Sequence, residues 1–179
     1  MKIWSAGCSD GSEPGSIMAL LYARNKQLSA ECLATDISKM LPTTSDPLVL
    51  DFYKGTDTND AFVTLEGLHG QKILQPSLRE MIQFKQENLL DAEYREDFDL
   101  VSCCNLLFYY GVDSEKRNQM ITNLIEAVKP GGFLVVGEHS KRFFQEDFVL
   151  LALTVNDMTA VSTSGIFYKK PVRELPPVC

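Results

Sequence analysis

The residues of this chain best placed to do chemistry are glycines in a tight turn, an acid after one apolar run, and an amide after another. The first set lies in Ile3-Trp4-Ser5-Ala6-Gly7-Cys8-Ser9-Asp10-Gly11-Ser12-Glu13-Pro14, where a short apolar run enters small residues and then helical spacing. A strand that hands over to a helix through such a turn lets a ligand approach the backbone closely. Gly7 and Gly11 do not complete the G-x-G-x-x-G of dinucleotide folds. By itself the turn therefore reads either as a nucleotide-type cofactor site or as an ordinary α/β turn. Asp36 closes the run Cys32-Leu33-Ala34-Thr35-Asp36. An acid at the end of a second strand can accept hydrogen bonds from both hydroxyls of a ribose, or it can cap the next helix. Asn105 follows Leu100–Cys103, a continuous apolar run of the kind found in buried parallel strands. Its amide can donate and accept. Ligands in open α/β sheets lie outside the carboxyl ends of strands, and Gly7, Asp36 and Asn105 all stand at such ends.

Elements must hold these residues in place. Pro14 suits the first turn of a helix, where its missing N–H has no partner, and Ile17, Leu20 and Leu21 then recur with the spacing of one buried face. Ile82-Gln83-Phe84 reads as a third strand of the main sheet. Residues 113–129 read as a helix with Ile121, Leu124, Ile125 and Val128 on one face. Lys129-Pro130-Gly131-Gly132 would stop it, and Phe133–Gly137 would be the next core strand. Met158–Val161 and Gly165–Lys169 read as a closing antiparallel pair. Around Val49–Tyr53, Ala61–Leu65 and Lys72–Leu74 come three short extended runs, and Leu175-Pro176-Pro177 reads as a frayed end.

The blocks WSAGCSDGSEPGSI, ATDIS, FKQENLL, FDLVSCCNLLFYY and VKPGGFLVVGEHS follow one another in this order. They resemble the S-adenosylmethionine domain of the CheR-type chemotaxis receptor (protein-glutamate O-) methyltransferases over most of residues 3–140. The resemblance implies a class I S-adenosylmethionine-dependent methyltransferase fold. This is a Rossmann-like α/β domain over 1–179, with a mostly parallel seven-stranded sheet, an antiparallel C-terminal strand and helices on both faces. It implies a pocket lined by Gly7, Gly11, Glu13, Asp36, Asn88, Leu89, Cys104 and Asn105. Glu13 would meet the methionine end of the cofactor, Asp36 its ribose, and Asn88-Leu89 its adenine; S-adenosylhomocysteine would be the product. Tyr109 matches the family tyrosine near the transferred methyl, although it also reads as an aromatic packing at a helix entry. Where the family has an Arg before Asn105, this chain has Cys104. In the family a small β subdomain that grips receptor tails is inserted in this region; residues 45–75 read either as a reduced version of it or as loops with one extra strand. Receptor methyltransferases carry a basic helical domain before the first strand, whereas this sequence starts at that strand. A pocket open on one side would then be covered by residues 39–75, by a second copy in a homodimer, or by a helper chain.

Composition narrows the partners. The chain has 179 residues, 45% hydrophobic and 23% charged, with a net charge of −7, which suits a folded domain. An acidic balance argues against nucleic acid, whose phosphates need a basic surface. No apolar run reaches the ~18–20 residues of a spanning helix, and Met1-Lys2 leads into a strand, not a signal peptide. A cytoplasmic protein is expected, without membrane insertion. Cys8, Cys32, Cys103, Cys104 and Cys179 contain no C-x-x-C pair, so neither a disulfide framework nor zinc is indicated. Cys103 and Cys104 should point to opposite faces of a strand, with Cys104 a small buried filler or a nucleophile. His69 falls in a Gly-rich loop, and His139 follows a strand where it would line a pocket mouth or cap a segment.

No His/Asp or Cys/His pair stands out, which suits transfer to a carboxylate. With a pKa of about 4.3 a glutamate is already ionised at pH 7 and needs no base. The acceptor would be a protein carboxylate such as that of a signalling receptor. The alternatives are a small-molecule methyltransferase and a non-catalytic module that binds S-adenosylmethionine or S-adenosylhomocysteine and acts through a partner.

Overall fold

The computed structural model describes residues 1–43, 45–50, 61–64, 72–104, 106–109, 114–136, 158–160 and 165–169. Within it the chain forms two compact units, Met1–Ala92 and Glu93–Cys179. The strands make a mixed sheet of seven, mostly parallel with antiparallel C-terminal strands, as the sequence predicts, and a separate two-stranded sheet.

In the first unit, β1 (Lys2–Ala6), α1 (Ser12–Arg24), β2 (Glu31–Asp36), β3 (Phe62–Thr64), β4 (Lys72–Leu74), α2 (Pro76–Arg79) and β5 (Ile82–Gln86) follow in order. Parallel pairing gives the local strand order β5-β2-β1, with Ala6 opposite Thr35 and Asp36 opposite Gln86. All three strands therefore end together, which brings the loops after Ala6, Asp36 and Gln86 side by side. Ile3, Trp4, Ser5 and Ala6 are all buried, as befits a strand covered on both faces. The Trp4 indole Nε1 donates to Thr35 Oγ1 at 2.9 Å, so the one polar atom of the largest core side chain is satisfied. β3 and β4 are antiparallel, and Val49 adds a single bridge to Ile73; residues 51–53 of the first extended run lie outside the described residues.

The face of α1 differs from the expected one. Pro14, Gly15, Met18 and Ala19 are buried, whereas Leu20 is 51% exposed and Ile17 and Leu21 are only half-buried. Small residues turn inward because the segment carrying Leu48 and Leu50 lies against the helix. A β-carbon on Gly15 would come within 3.2 Å of Leu50 Cδ2.

The second unit contains β6 (Phe98–Ser102), α3 (Leu106–Tyr109), α4 (Ser114–Ala127), β7 (Val128–Val135), β8 (Met158–Ala160) and β9 (Ile166–Lys169). β6 and β7 are parallel, while β9 runs antiparallel to both β7 and β8. The closing pair is thus as predicted, although Val161 and Leu175–Pro177 lie outside the described residues. Met120, Ile121, Leu124, Ile125 and Val128 are buried. The helix stops at Ala127, not at 129, and β7 already includes Val128 and the Lys129-Pro130-Gly131-Gly132 segment. Val128 pairs with Phe98 and Phe133 with Leu100, so Lys129–Gly132 bulge opposite Asp99. The breaker residues are absorbed as a bulge that twists the strand, and no loop separates helix from strand.

The abrupt helix end is held by partners from elsewhere in this unit. Glu96 N–H donates to Glu126 O at 2.7 Å and Asp97 N–H to Ala127 O at 3.0 Å. The buried Lys169 ammonium of β9 donates to Val128 O at 2.7 Å and Ile125 O at 3.4 Å, with Glu96 Oε1 at 3.5 Å. Terminal carbonyls that a helix leaves unpaired are thereby satisfied by a cation, the charge favoured at that end. No helix among the described residues is long and apolar enough to cross a membrane.

Lys169→Met should cost about 1–3 kcal/mol, because it strands buried carbonyls without a donor. Urea unfolding followed by circular dichroism checks this, with a lower midpoint at unchanged slope as the expected outcome.

Candidate functional site

In the first unit the turn between β1 and α1 is fastened to the end of β2. Gly7 and Cys8 N–H groups both donate to Thr35 O, at 2.7 and 3.0 Å, and Gly11 N–H donates to Cys8 O at 2.9 Å. Ser9 N–H donates to Asp36 Oδ2 at 2.9 Å and Ser12 N–H to Asp10 Oδ1 at 3.0 Å. The other oxygen of Asp36, Oδ1, accepts from Ser38 N–H at 2.9 Å. Asp36 is thus an anchor for two loops, and each of its oxygens keeps acceptor capacity for a further donor. Glu13, in the first turn of α1, accepts from the buried Ser5 hydroxyl at 3.0 Å.

The loop after β5 joins the same end. Glu87 N–H donates to Asp36 O at 2.8 Å, and Gln86 Nε2 to Ile37 O at 3.0 Å. Asn88 caps a 3-10 turn, Leu89–Asp91: its Oδ1 accepts from Leu90 N–H at 3.1 Å and its Nδ2 donates to Asp91 Oδ2 at 3.0 Å. Leu89 is nearly buried. Gly7, Gly11, Glu13, Asp36, Asn88 and Leu89 therefore share the carboxyl end of one three-stranded layer.

The remaining expected residues belong to the second unit, after β6. Cys103 is buried, and its N–H donates to Val135 O at 2.8 Å. Cys104 is half-buried, with its sulfur 3.7 Å from Ser102 Oγ. Asn105 lies outside the described residues, as do His69, His139 and Cys179. Tyr109 is the last residue of α3.

Two features of the turn differ from the sequence reading. Gly11 has φ +85°, and a β-carbon there would stand 2.7 Å from Leu48 Cδ2 and 2.8 Å from Phe84 Cζ. This glycine is needed for its left-handed backbone and for close packing of side chains. The amides of Gly7, Cys8, Ser9, Gly11 and Ser12 are also engaged within the protein. A pyrophosphate at a helix N-terminus needs such groups free; here they are not.

Electrostatics agree. The Cys8 thiol is pushed up to about 12, chiefly by burial and then by the charges of Asp36, Glu13 and Asp10. Cys32 is likewise pushed up to about 12 by burial. Both are neutral thiols at pH 7 and unsuited to nucleophilic attack. The same three carboxylates give the turn a negative field, which repels phosphate and attracts a cation. A cofactor with a ribose, an ammonium and a sulfonium, and no phosphate, fits this donor set. Residues that sequence reasoning passed over are Ser5, Ser9, Thr35 and Ser38, which aim the carboxylates and the turn. Their signal was the density of small polar residues at strand ends, which reads equally as loop.

The description of the matching family is "CheR methyltransferase, SAM binding domain", and the match covers residues 1–155. The chemotaxis protein methyltransferase of Listeria monocytogenes is 28% identical over 161 residues, 86% of this chain and 58% of that protein. Chemotaxis protein methyltransferase 1 of Pseudomonas aeruginosa is 30% identical over 150 residues, 76% of this chain and 53% of that protein. The chain thus spans about half the length of these curated relatives. Among solved structures, a TehB-like S-adenosylmethionine-dependent methyltransferase from Corynebacterium glutamicum shares the fold. Its TM-score is 0.53 at 17% identity, over 94% of this chain and 80% of that one. The N-methyltransferase NodS of Bradyrhizobium japonicum, solved with S-adenosylhomocysteine, gives 0.51 at 16% identity, over 95% of this chain and 78% of that one. Carboxylates in the turn, in the first turn of α1 and at the end of β2, a turn that offers little to phosphate and a family match over most of the chain lead to one conclusion: this chain belongs to the CheR methyltransferase family and is its S-adenosylmethionine-binding domain.

Proposed function

We propose that this domain transfers the methyl group of S-adenosylmethionine to a carboxylate, the side chain of a glutamate in a chemotaxis or related signalling receptor. The observation that supports it best is the acidic turn: Asp10, Glu13 and Asp36 surround Cys8 closely enough to raise its pKa. A sulfonium and an ammonium are held there by charge, and the free acceptor capacity of Asp36 suits the two ribose hydroxyls. Asn88 and Leu89 present the 3-10 turn toward an adenine, with an apolar side chain beside a polar backbone. The names of the Listeria and Pseudomonas relatives, chemotaxis protein methyltransferases, support the signalling context. A cytoplasmic protein without a membrane span is the matching setting.

The bound cofactor supplies an electrophilic methyl on positively charged sulfur. The chain's own work is to orient the cofactor and to exclude water, because a glutamate with a pKa of about 4.3 is already an anion at neutral pH. The attacking oxygen brings its own electron pair, and sulfur leaves neutral with the bonding pair. No protein base is required, which agrees with the neutral state of Cys8 and Cys32. Tyr109 is proposed as the residue that contacts the reacting groups, with Asn105 and Cys104 lining the cofactor. Cys104 where the family has arginine supports a second reading, a domain that binds the cofactor without turnover.

Calorimetric titration with S-adenosylhomocysteine, with NAD as control, tests the cofactor on which these readings rest. Saturable micromolar binding of the homocysteine compound alone is expected, and binding of NAD instead would reject the assignment. Asp36→Ala should weaken that binding by about 1–3 kcal/mol, since it removes charged acceptors. An unchanged affinity would take Asp36 out of the site. Tyr109→Phe should leave S-adenosylhomocysteine affinity intact and lower methyl transfer about tenfold or more, as expected for a group that acts on geometry in the transition state. Radiolabelled methyl transfer to receptor fragments reads this, and a wild-type chain that binds the cofactor but transfers nothing would favour the non-catalytic reading.

A further inference from the structure

Arg79 is a buried charged side chain of the first unit, among the described residues, that the site has not absorbed. It ends α2, is 5% exposed, and donates to three main-chain carbonyls: Ile82 O from Nη1 at 3.0 Å, Asp46 O from Nε at 3.2 Å, and Thr43 O from Nη2. Its guanidinium also lies over the Phe84 ring, 4.8 Å from the centroid. One planar cation therefore ties Thr43 and Asp46 to the start of β5 and covers a β5 aromatic. Thr43 and Asp46 are joined to each other as well, Thr43 N–H donating to Asp46 Oδ2 at 2.7 Å.

The segment held at Thr43 and Asp46 continues into Leu48 and Leu50, which β4 pins by Leu74 N–H to Leu48 O at 3.0 Å and Leu50 N–H to Lys72 O at 2.9 Å. Leu48 and Phe84 fill the space that a β-carbon on Gly11 would need, and Leu50 with Leu48 that beside Gly15. Two routes thus lead from the guanidinium to the first turn of α1. One runs through Phe84, the other through the 45–50 strap. Interiors packed at crystal density transmit small displacements, and a lysine in place of arginine has neither the fork nor the flat face to serve both routes.

We propose that Arg79 is a positioning residue for the cofactor turn, setting Gly11 and Glu13 through Phe84 and the strap without touching the cofactor. The inference rests on the S-adenosylmethionine-binding reading for its functional consequence, but its structural content concerns the turn alone. Two readouts test it. Hydrogen exchange of the amides of Ser9 to Glu13 and Gly15 is compared in the wild type, Arg79→Lys, and Ile125→Val, a core variant of α4 that loses stability without altering any residue of the first unit. Titration with S-adenosylhomocysteine is run on the same proteins.

Arg79→Lys should speed exchange in the turn and raise the S-adenosylhomocysteine dissociation constant about tenfold, within the range that misplacement of a positioned group causes. Ile125→Val should change neither, although it lowers the melting temperature. If Arg79→Lys does not fold, Phe84→Leu keeps the guanidinium hydrogen bonds, removes the ring that bears on Gly11, and should shift both readouts the same way. Turn exchange at the wild-type rate in a folded Arg79→Lys protein overturns the proposal, as does faster exchange matched by Ile125→Val. A wild type that fails to bind S-adenosylhomocysteine would sink the functional reading, while the exchange comparison would still decide the role of Arg79.

Discussion

The first unit depends on two neighbouring acceptors at the end of β2. The carbonyl of Thr35 takes the N–H groups of Gly7 and Cys8, and the carboxylate of Asp36 takes those of Ser9 and Ser38. Because β1 and β2 are parallel with Ala6 opposite Thr35, the chain leaving β1 meets these acceptors at once. A turn satisfied in this way can be buried without cost from orphaned amides. The same bonds leave few amides for an anion and set carboxylates around the turn.

Packing behind the turn follows from that choice. Gly11 and Gly15 present no side chains, so Leu48, Leu50 and Phe84 reach the helix backbone. α1 consequently buries its small residues and leaves Leu20 in solvent. In the second unit an equivalent economy operates at the end of α4, where the buried Lys169 and the Glu96 and Asp97 amides replace a capping loop. A helix that ends directly in a strand needs such imported donors, since its last carbonyls have none of their own.

Much of the fold was legible locally. The strands at Ile3-Trp4, Cys32–Ala34, Ile82–Phe84 and Leu100–Val101, and the antiparallel pair at the end, fall where apolar runs and turn residues indicated. Of the site, the first-unit residues Gly7, Gly11, Glu13, Asp36, Asn88 and Leu89 are drawn to one strand-end region, because parallel register makes the three strands stop together. Misreadings have a common cause. Lys129–Gly132 reads as a helix stop followed by a loop, yet a bulge opposite Asp99 lets β7 absorb it. Arg79 carries no local signal of its role in the sequence, because the three carbonyls and the ring that bury it come together only in the fold.

Sequence by itself determined the alternation of strand, turn and helix, the identity of the residues at each strand end, and the family to which their order belongs. These follow from local periodicity and from motifs contiguous in the chain, which need no knowledge of distant partners. Tertiary structure alone decided which face of α1 is buried, that the amides of the glycine turn are spent on Thr35 and Asp36, and that Gly11 is a packing slot. Those outcomes depend on strand register and on side chains far along the chain, Leu48 and Phe84 above all. Only the folded chain brings such groups within contact distance.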